Sequence, residues 1–307
     1  MAERTRTGAD LPEQHLRPAE PSALAPDSAT VRAVSDWRIL AVAPAALVLQ
    51  TSHPVIGAGV AQHSIYTVDP ILRFQRSFWQ TLGLAFYGSD YGRDVRALHK
   101  PIGGVDHQGR RYHAWHGDGY FFVLATAMWA IETVAERFDK IPLSPAQRHD
   151  VYDGIKQMAR LAGAPEPSIP ATLVDYDRYF ADTMAKLEDH PAAQQLHGTV
   201  ADIPVPAALP GALVPLWRPM ARRVLGPVAV LLTVGLTPAQ HRAVLGWEWS
   251  ERDERKLAGL IGVAQVVHRV LPTPLRQITR TMALRRRAEF HRQISDAAAV
   301  AASTSTV

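Results

Sequence analysis

Ser52-His53-Pro54-Val55-Ile56-Gly57-Ala58-Gly59-Val60-Ala61-Gln62-His63-Ser64 is followed by Asp69-Pro70-Ile71-Leu72-Arg73-Phe74-Gln75-Arg76-Ser77 and then by Val95-Arg96-Ala97-Leu98-His99-Lys100-Pro101-Ile102-Gly103-Gly104. Asp69-Pro70 reads as an N-cap with proline at the first helical position, and Gly88 closes a helix of about five turns. Arg73, Arg76 and Ser77 stand at i, i+3 and i+4 and share one face of it, while Leu72, Phe78, Trp79, Leu82 and Phe86 supply apolar surface. Two like charges so placed repel each other unless an anion lies nearby; the plain alternative is a pair of solvated surface arginines. His99 falls in a helical run from Asp94 to Lys100 that Pro101 and Gly103-Gly104 stop. Polar groups embedded in apolar sequence are costly to bury unless something binds them, so this block is where a ligand is expected.

The same helix punctuation recurs along the chain, and strand alternation does not. Ser144-Pro145-Ala146-Gln147 is a capping box that opens a helix to about Ala162. Thr237-Pro238 opens a short helix ended by Gly246, Ser250 with Asp253 opens another to about Val270, and Thr273-Pro274 starts the last. Gly163 to Pro170 and Ile203 to Pro210 are loops by composition, and buried helices are expected at Tyr120 to Phe138 and Val214 to Leu236. The fold class expected is all-α, one multi-helix domain over residues 31–295 between a flexible leader, 1–30, and a flexible tail, 296–307.

Composition narrows the chemistry. A chain of 307 residues, 47% of them hydrophobic, can bury a large core. Having no Cys, it excludes thiolate-ligated haem, iron–sulfur clusters, CxxCH attachment, Cys-zinc sites and cysteine nucleophiles. The net charge of +4 is modest, and its late basic run, Arg276 to Arg292, has no interleaved aromatics. It reads as a solvated helix face, so no nucleic-acid partner is expected. The apolar stretches Ile39 to Gln50 and Val224 to Leu236 fall short of the roughly 20 residues that span a bilayer. A cytoplasmic protein without an integral membrane segment is therefore expected, with peripheral membrane contact left open.

A neutral imidazole suits haem iron, and one histidine is enough for a five-coordinate, O2-binding centre, although one among 13 histidines is more often an ordinary hydrogen-bonded residue. His53 and His63, beside Gly57 and Gly59, are read the same way. The order of the pieces adds a resemblance. From about Leu49 to Ala130 the chain resembles the catalytic domain of the MpaB-like and rubber (latex-clearing) oxygenase family. The carriers are His53-Pro54-Val55-Ile56-Gly57-Ala58-Gly59-Val60 with His63-Ser64, Asp69-Pro70 with Arg73 and Arg76-Ser77, and His99 with Gly103-Gly104; Leu236-Thr237-Pro238, Leu245-Gly246-Trp247 and Pro272 add to it downstream.

The resemblance implies an all-α shell around one non-covalent haem b that activates O2, with His99 as the iron ligand and Arg73, Arg76 and Ser77 as catalytic residues on the opposite side. His53, Arg73 and Arg96 are expected beside His99 as cofactor-binding residues, and Phe78, Phe121 and Trp129 as an apolar lining. The implied partners are O2, a small hydrophobic substrate that is hydroxylated or cleaved at an alkene, and an electron donor. Two departures stand out. The family's usual threonine is Ser77, which keeps the hydroxyl. Its Trp-Val-His-Ala-Thr run reads Phe122-Val123-Leu124-Ala125-Thr126, so a histidine has become Leu124 and its role is absent or moved to His113 or His116.

Two other classes fit parts of the chain. His116-Gly117-Asp118 matches half of a two-histidine-one-carboxylate iron site, with His190, His197 or His241 available as third ligand, although Asp118 is as readily a helix N-cap. A haem-binding sensor or carrier without turnover needs the same ligand and pocket as an oxygenase. Gly57-Ala58-Gly59 lacks the preceding strand and third glycine of a dinucleotide site.

Overall fold

A computed structural model describes residues 23–63, 70–115, 118–205 and 209–286; within these ranges the side chains of residues 70–77, 80, 89, 90 and 118 lie outside the description. The elements are α1 (Ala29–Ser35), α2 (Ile39–Ser52), α3 (Pro54–His63), α4 (Pro70–Tyr87), α5 (Ser89–His99), β1 (Gly103–Val105), β2 (Arg111–His113), α6 (Asp118–Thr133) and α7 (Pro145–Ala162). They continue as α8 (Leu173–Met184), α9 (Pro191–Ala201), α10 (Val214–Met220), α11 (Gly226–Leu236), α12 (Ala239–Val244), α13 (Glu251–Val270) and α14 (Thr273–Arg276). The protein is all-α, as the punctuation predicts.

Local sequence sets the helix ends. Ser144 with Gln147, Thr172 with Asp175 and Ser250 with Asp253 each make both halves of a capping box. The helices they open run to Ala162, Met184 and Val270, and Gly88 and Gly246, both at positive φ, follow α4 and the end of α12. Asp69, the expected cap of α4, lies outside the described residues.

The core forms around α2, which is apolar on every side: Val42, Ala45, Val48 and Leu49 are fully buried. It packs against α6, α9 and α11. A helix without a polar face has no place at a surface and must lie inside. On α6, Phe121, Phe122, Ala125 and Met128 are fully buried, and α7 adds Ile155 and Met158. Arg38, buried at the start of α2, is neutralised by Asp36 at 2.6 Å and by Asp139.

Two expectations need correction. A two-stranded antiparallel hairpin, β1–β2, pairs Gly103 with His113 and Val105 with Arg111; strands of three residues are too short to leave an alternating pattern. The stretch from Val214 to Leu236 is not a uniformly buried helix: Leu216, Met220 and Val224 are exposed, and burial is concentrated at Thr233–Leu236. Its helix also extends back, so that Gly211–Leu236, 26 residues, is long and apolar enough by length and composition to cross a membrane. A wide turn at Ala221–Leu225 lies just before Gly226-Pro227, where proline denies the helix a regular i−4 bond without ending it.

The crossing of α5 on α7 fixes where His99 stands. Gly92 lies against the Leu161 carbonyl so closely that a Cβ would overlap it, and the Arg96 Nη1 donates to the same carbonyl at 2.9 Å. Gly92→Ala is expected to lower the unfolding free energy by about 1–3 kcal/mol through overpacking. Gly259→Ala, where nothing lies within 4 Å, is expected to gain up to about 1 kcal/mol of helix propensity. Urea unfolding checks the pair, and equal midpoints for the two variants contradict the crossing.

Candidate functional site

The polar end of α2 organises the site. The residue before a proline is pushed into extended backbone, and His53, at φ −73° and ψ 128°, ends α2 one residue before Pro54 begins α3. The carbonyls left over there need donors from elsewhere. Glu188 N–H donates to Ser52 O at 3.0 Å. Ser52 Oγ and His241 Nε2, from α12, are 2.7 Å apart, while His241 Nδ1 is buried without a hydrogen-bond partner among the described residues. His53 is 6% exposed, with its ring 5.5 Å from that of Phe122 and its edge against Gly119 of α6. The ring of His190 lies on Gly57, whose Cβ, if present, would stand 2.7 Å from it. Three buried histidines from three parts of the chain thus belong to one helix junction, each against a different partner. Burial holds the His241 imidazole down to a pKa of about 4, so it is neutral near pH 7.

His99 ends α5 and is half-buried. Its Nδ1 is 2.7 Å from Val95 O. A carbonyl oxygen can only accept, so the proton sits on Nδ1 and the ring lone pair on Nε2, the tautomer of a metal-ligating histidine held by a backbone carbonyl. The ring stands edge-on to Tyr120, with centroids 5.7 Å apart at 89°. Burial pushes the Tyr120 phenol up to about 12, against the opposing field of Arg96, and its hydroxyl donates to Ala162 O at 2.7 Å. Arg96 gives one of its five N–H groups to Leu161 O, so it also ties α5 to α7.

The helix α4 carries Arg73, Arg76 and Ser77 in its backbone, and their side chains lie outside the described residues. So do His116 and the side chain of Asp118, the first residue of α6. His190, His197 and His241 have separate surroundings: His197 packs on Trp247 with centroids 4.6 Å apart, His241 meets Ser52, and His190 faces His107. His113 uses both ring nitrogens, donating from Nε2 to Lys100 O and accepting at Nδ1 from Trp115 N. His63 donates to Gly103 O at 3.1 Å and joins α3 to the hairpin. Leu124 is buried in the main apolar core, as are Phe78 and Phe121, the latter against Tyr179 of α8 at 5.3 Å.

Sequence reasoning missed Ser52 and Glu188 altogether. Ser52 and His241 are 189 positions apart, and nothing in either neighbourhood announces the other. His107, Glu188 and His190 also come together, with ligand atoms within 4.8 Å of one another.

Fold and residues together define an all-α protein with histidines gathered at the ends of its inner helices. The chain belongs to the family described as ER-bound oxygenase mpaB/B'/rubber oxygenase, catalytic domain, which it matches over residues 31–266. It is similar to two proteins named uncharacterized protein Mb2261, from Mycobacterium bovis, and uncharacterized protein Rv2237, from Mycobacterium tuberculosis. Each is 25% identical over 240 residues, covering 75% of this chain and 89% of the relative. No solved structure matches it.

The low pKa of His241 has a pH consequence. The unfolded chain takes up a proton near pH 6.5, and the folded chain does so at this site only near pH 4. The contribution of His241 to stability is therefore complete above about pH 6.5 and falls as the pH drops toward 4, with a slope approaching about 1.4 kcal/mol per pH unit. His241→Gln is expected to remove one proton from this acid limb, read as urea midpoints between pH 7 and 4. An unchanged limb contradicts the assignment.

Proposed function

We propose that the chain is a haem b-dependent oxygenase, with residues 31–295 as its working domain and His99 as the iron ligand. The reading is supported by the family, by the absence of any cysteine to serve instead, and above all by the Nδ1–H of His99 on Val95 O. That bond presents Nε2 as a neutral donor and fixes the ring direction, the arrangement haem iron takes from histidine. When bound, haem supplies O2 activation at its iron.

The protein supplies the rest. His99 holds the cofactor from the end of α5, and Tyr120 and the α5–α7 crossing keep its ring from turning. Arg73 and Arg76, one turn apart on α4, would supply positive charge for the haem carboxylates, which would relieve the repulsion between them. Ser77 and Arg73 would be the hydrogen-bond donors of the reaction, since such donors stabilise developing negative charge. His53, at the α2–α3 junction, and Arg96, on α5, would contribute to holding the haem. Apolar side chains would exclude water and admit a small hydrophobic substrate, hydroxylated or cleaved at an alkene, with electrons from a separate donor.

A pyridine haemochrome assay is expected to give one haem b per chain, with loss of the Soret band in His99→Ala. Ser77→Ala and Arg73→Ala are expected to keep haem and lose turnover. Protein that stays colourless when supplied with hemin, or His99→Ala with full Soret absorbance, overturns the reading.

A further inference from the structure

Residues beside the α2–α3 junction, where His190 lies on Gly57 and Glu188 N–H donates to Ser52 O, make a second constellation that does not use His99. His107 sits in the turn of the hairpin, Glu188 in the segment before α9, and His190 caps α9. One ligand atom from each lies within 4.8 Å of the other two, and the two imidazoles stand edge to face with centroids 4.9 Å apart. Gln108 Nε2 is 3.4 Å from His107 Nε2 and 3.2 Å from Glu188 Oε2. An amide nitrogen can only donate, so both partners are aiming lone pairs at one point. His190 is 2% exposed, its Nδ1 accepts from Ala192 N at 3.1 Å, and its Nε2 is buried with no hydrogen-bond partner among the described residues.

The frame around the three residues is built, not improvised by loose surface chains. Asp106 is buried and accepts from the backbone N–H groups of Gln108 and Arg110 at 2.9 and 2.7 Å, which shapes the turn that carries His107. Glu188 is fixed through its N–H on Ser52 O. The His190 ring cannot swing away, because Gly57 is packed on its face. Arg110 spans Asp106 at 2.6 Å and Glu188 at 3.1 Å, so it can release Glu188 and keep Asp106.

We propose that His107, Glu188 and His190 form a binding site for a first-row divalent cation, distinct from the haem ligand and clamping the hairpin to the start of α9. Two imidazoles and one carboxylate are the donor set of zinc, iron, nickel and copper sites, with remaining positions left to water on the exposed His107 side. The cation displaces the Gln108 amide and the Arg110 contact from Glu188. The ring proton of His190 moves from Nε2 to Nδ1 as Nε2 takes the metal, and Ala192 N–H gives up its acceptor. No electron is transferred.

The test uses the full chain as purified, stripped with a chelator and dialysed against zinc, with bound metal counted by mass spectrometry. One zinc per chain is expected beyond any iron, with affinity reduced at least about tenfold in His107→Ala and in Glu188→Gln, a ligand loss comparable with the largest effects of supporting-residue mutations. His107 is exposed, so its variant keeps the fold, which circular dichroism checks. His149→Ala, at an exposed histidine outside the site, is expected to bind as the parent does. His99→Ala is expected to keep the zinc while losing haem, so failure here and failure of the haem assignment are separately visible. Zinc binding that is absent, or unaffected by both His107→Ala and Glu188→Gln, overturns the proposal.

Discussion

The rest of the structure depends on one conflict at the C-terminal end of α2. This helix is buried on every side and apolar along its length, yet it ends in Thr51, Ser52 and His53, all nearly inaccessible. A buried helix end leaves carbonyls and side chains that water cannot reach, and each unsatisfied group costs on the order of 1–3 kcal/mol. The chain resolves this with partners from far away: Glu188 N–H on the Ser52 carbonyl and His241 on the Ser52 hydroxyl. Packing α9 and α12 around α2 is thus directed by hydrogen bonds as much as by apolar area. Pro54 makes the demand sharper, because it forces the break at a point already inside the core.

That same solution puts imidazoles where they can act. His53 reaches α6, His190 faces His107 and Glu188, and His241 turns inward. Burial keeps His190 and His241 in the neutral form at ordinary pH. A neutral buried imidazole retains a lone pair for a metal or a proton, which solvated histidines share with water. His99 is oriented differently, through a carbonyl one turn back on its own helix. Its orientation therefore needs only α5, and its depth needs α7, through Gly92, Arg96 and Leu161.

The chain belongs to an oxygenase catalytic-domain family, and its α6 is mostly core. In α6, Leu124 fills apolar core. Thr126, two residues on, accepts from the Gln50 amide at 2.7 Å, tying α6 to α2. The α6 position is given to packing here, while the polar work is concentrated on α3, α5 and the α9 approach. A fold of this kind leaves function to the residues placed on it, so the chemistry of the site comes from its own side chains.

What the sequence by itself determined was local: helix starts at Ser144, Ser250 and Thr237-Pro238, stops at Gly88 and Gly246, and the all-α class, because caps, prolines and glycines act within a few residues of themselves. His99 at the end of a helix was legible for the same reason. The two-stranded hairpin was not, since three residues per strand carry no period. Nor was the exposed first half of the 211–236 helix, since apolar composition is the same whether a face is covered or bare. Tertiary structure alone decided which histidines meet which partners: Ser52 with His241 and His107 with His190 are juxtaposed across 189 and 83 positions by the packing of helices around α2. Such contacts are set by the closure of a whole core, and no local preference encodes them.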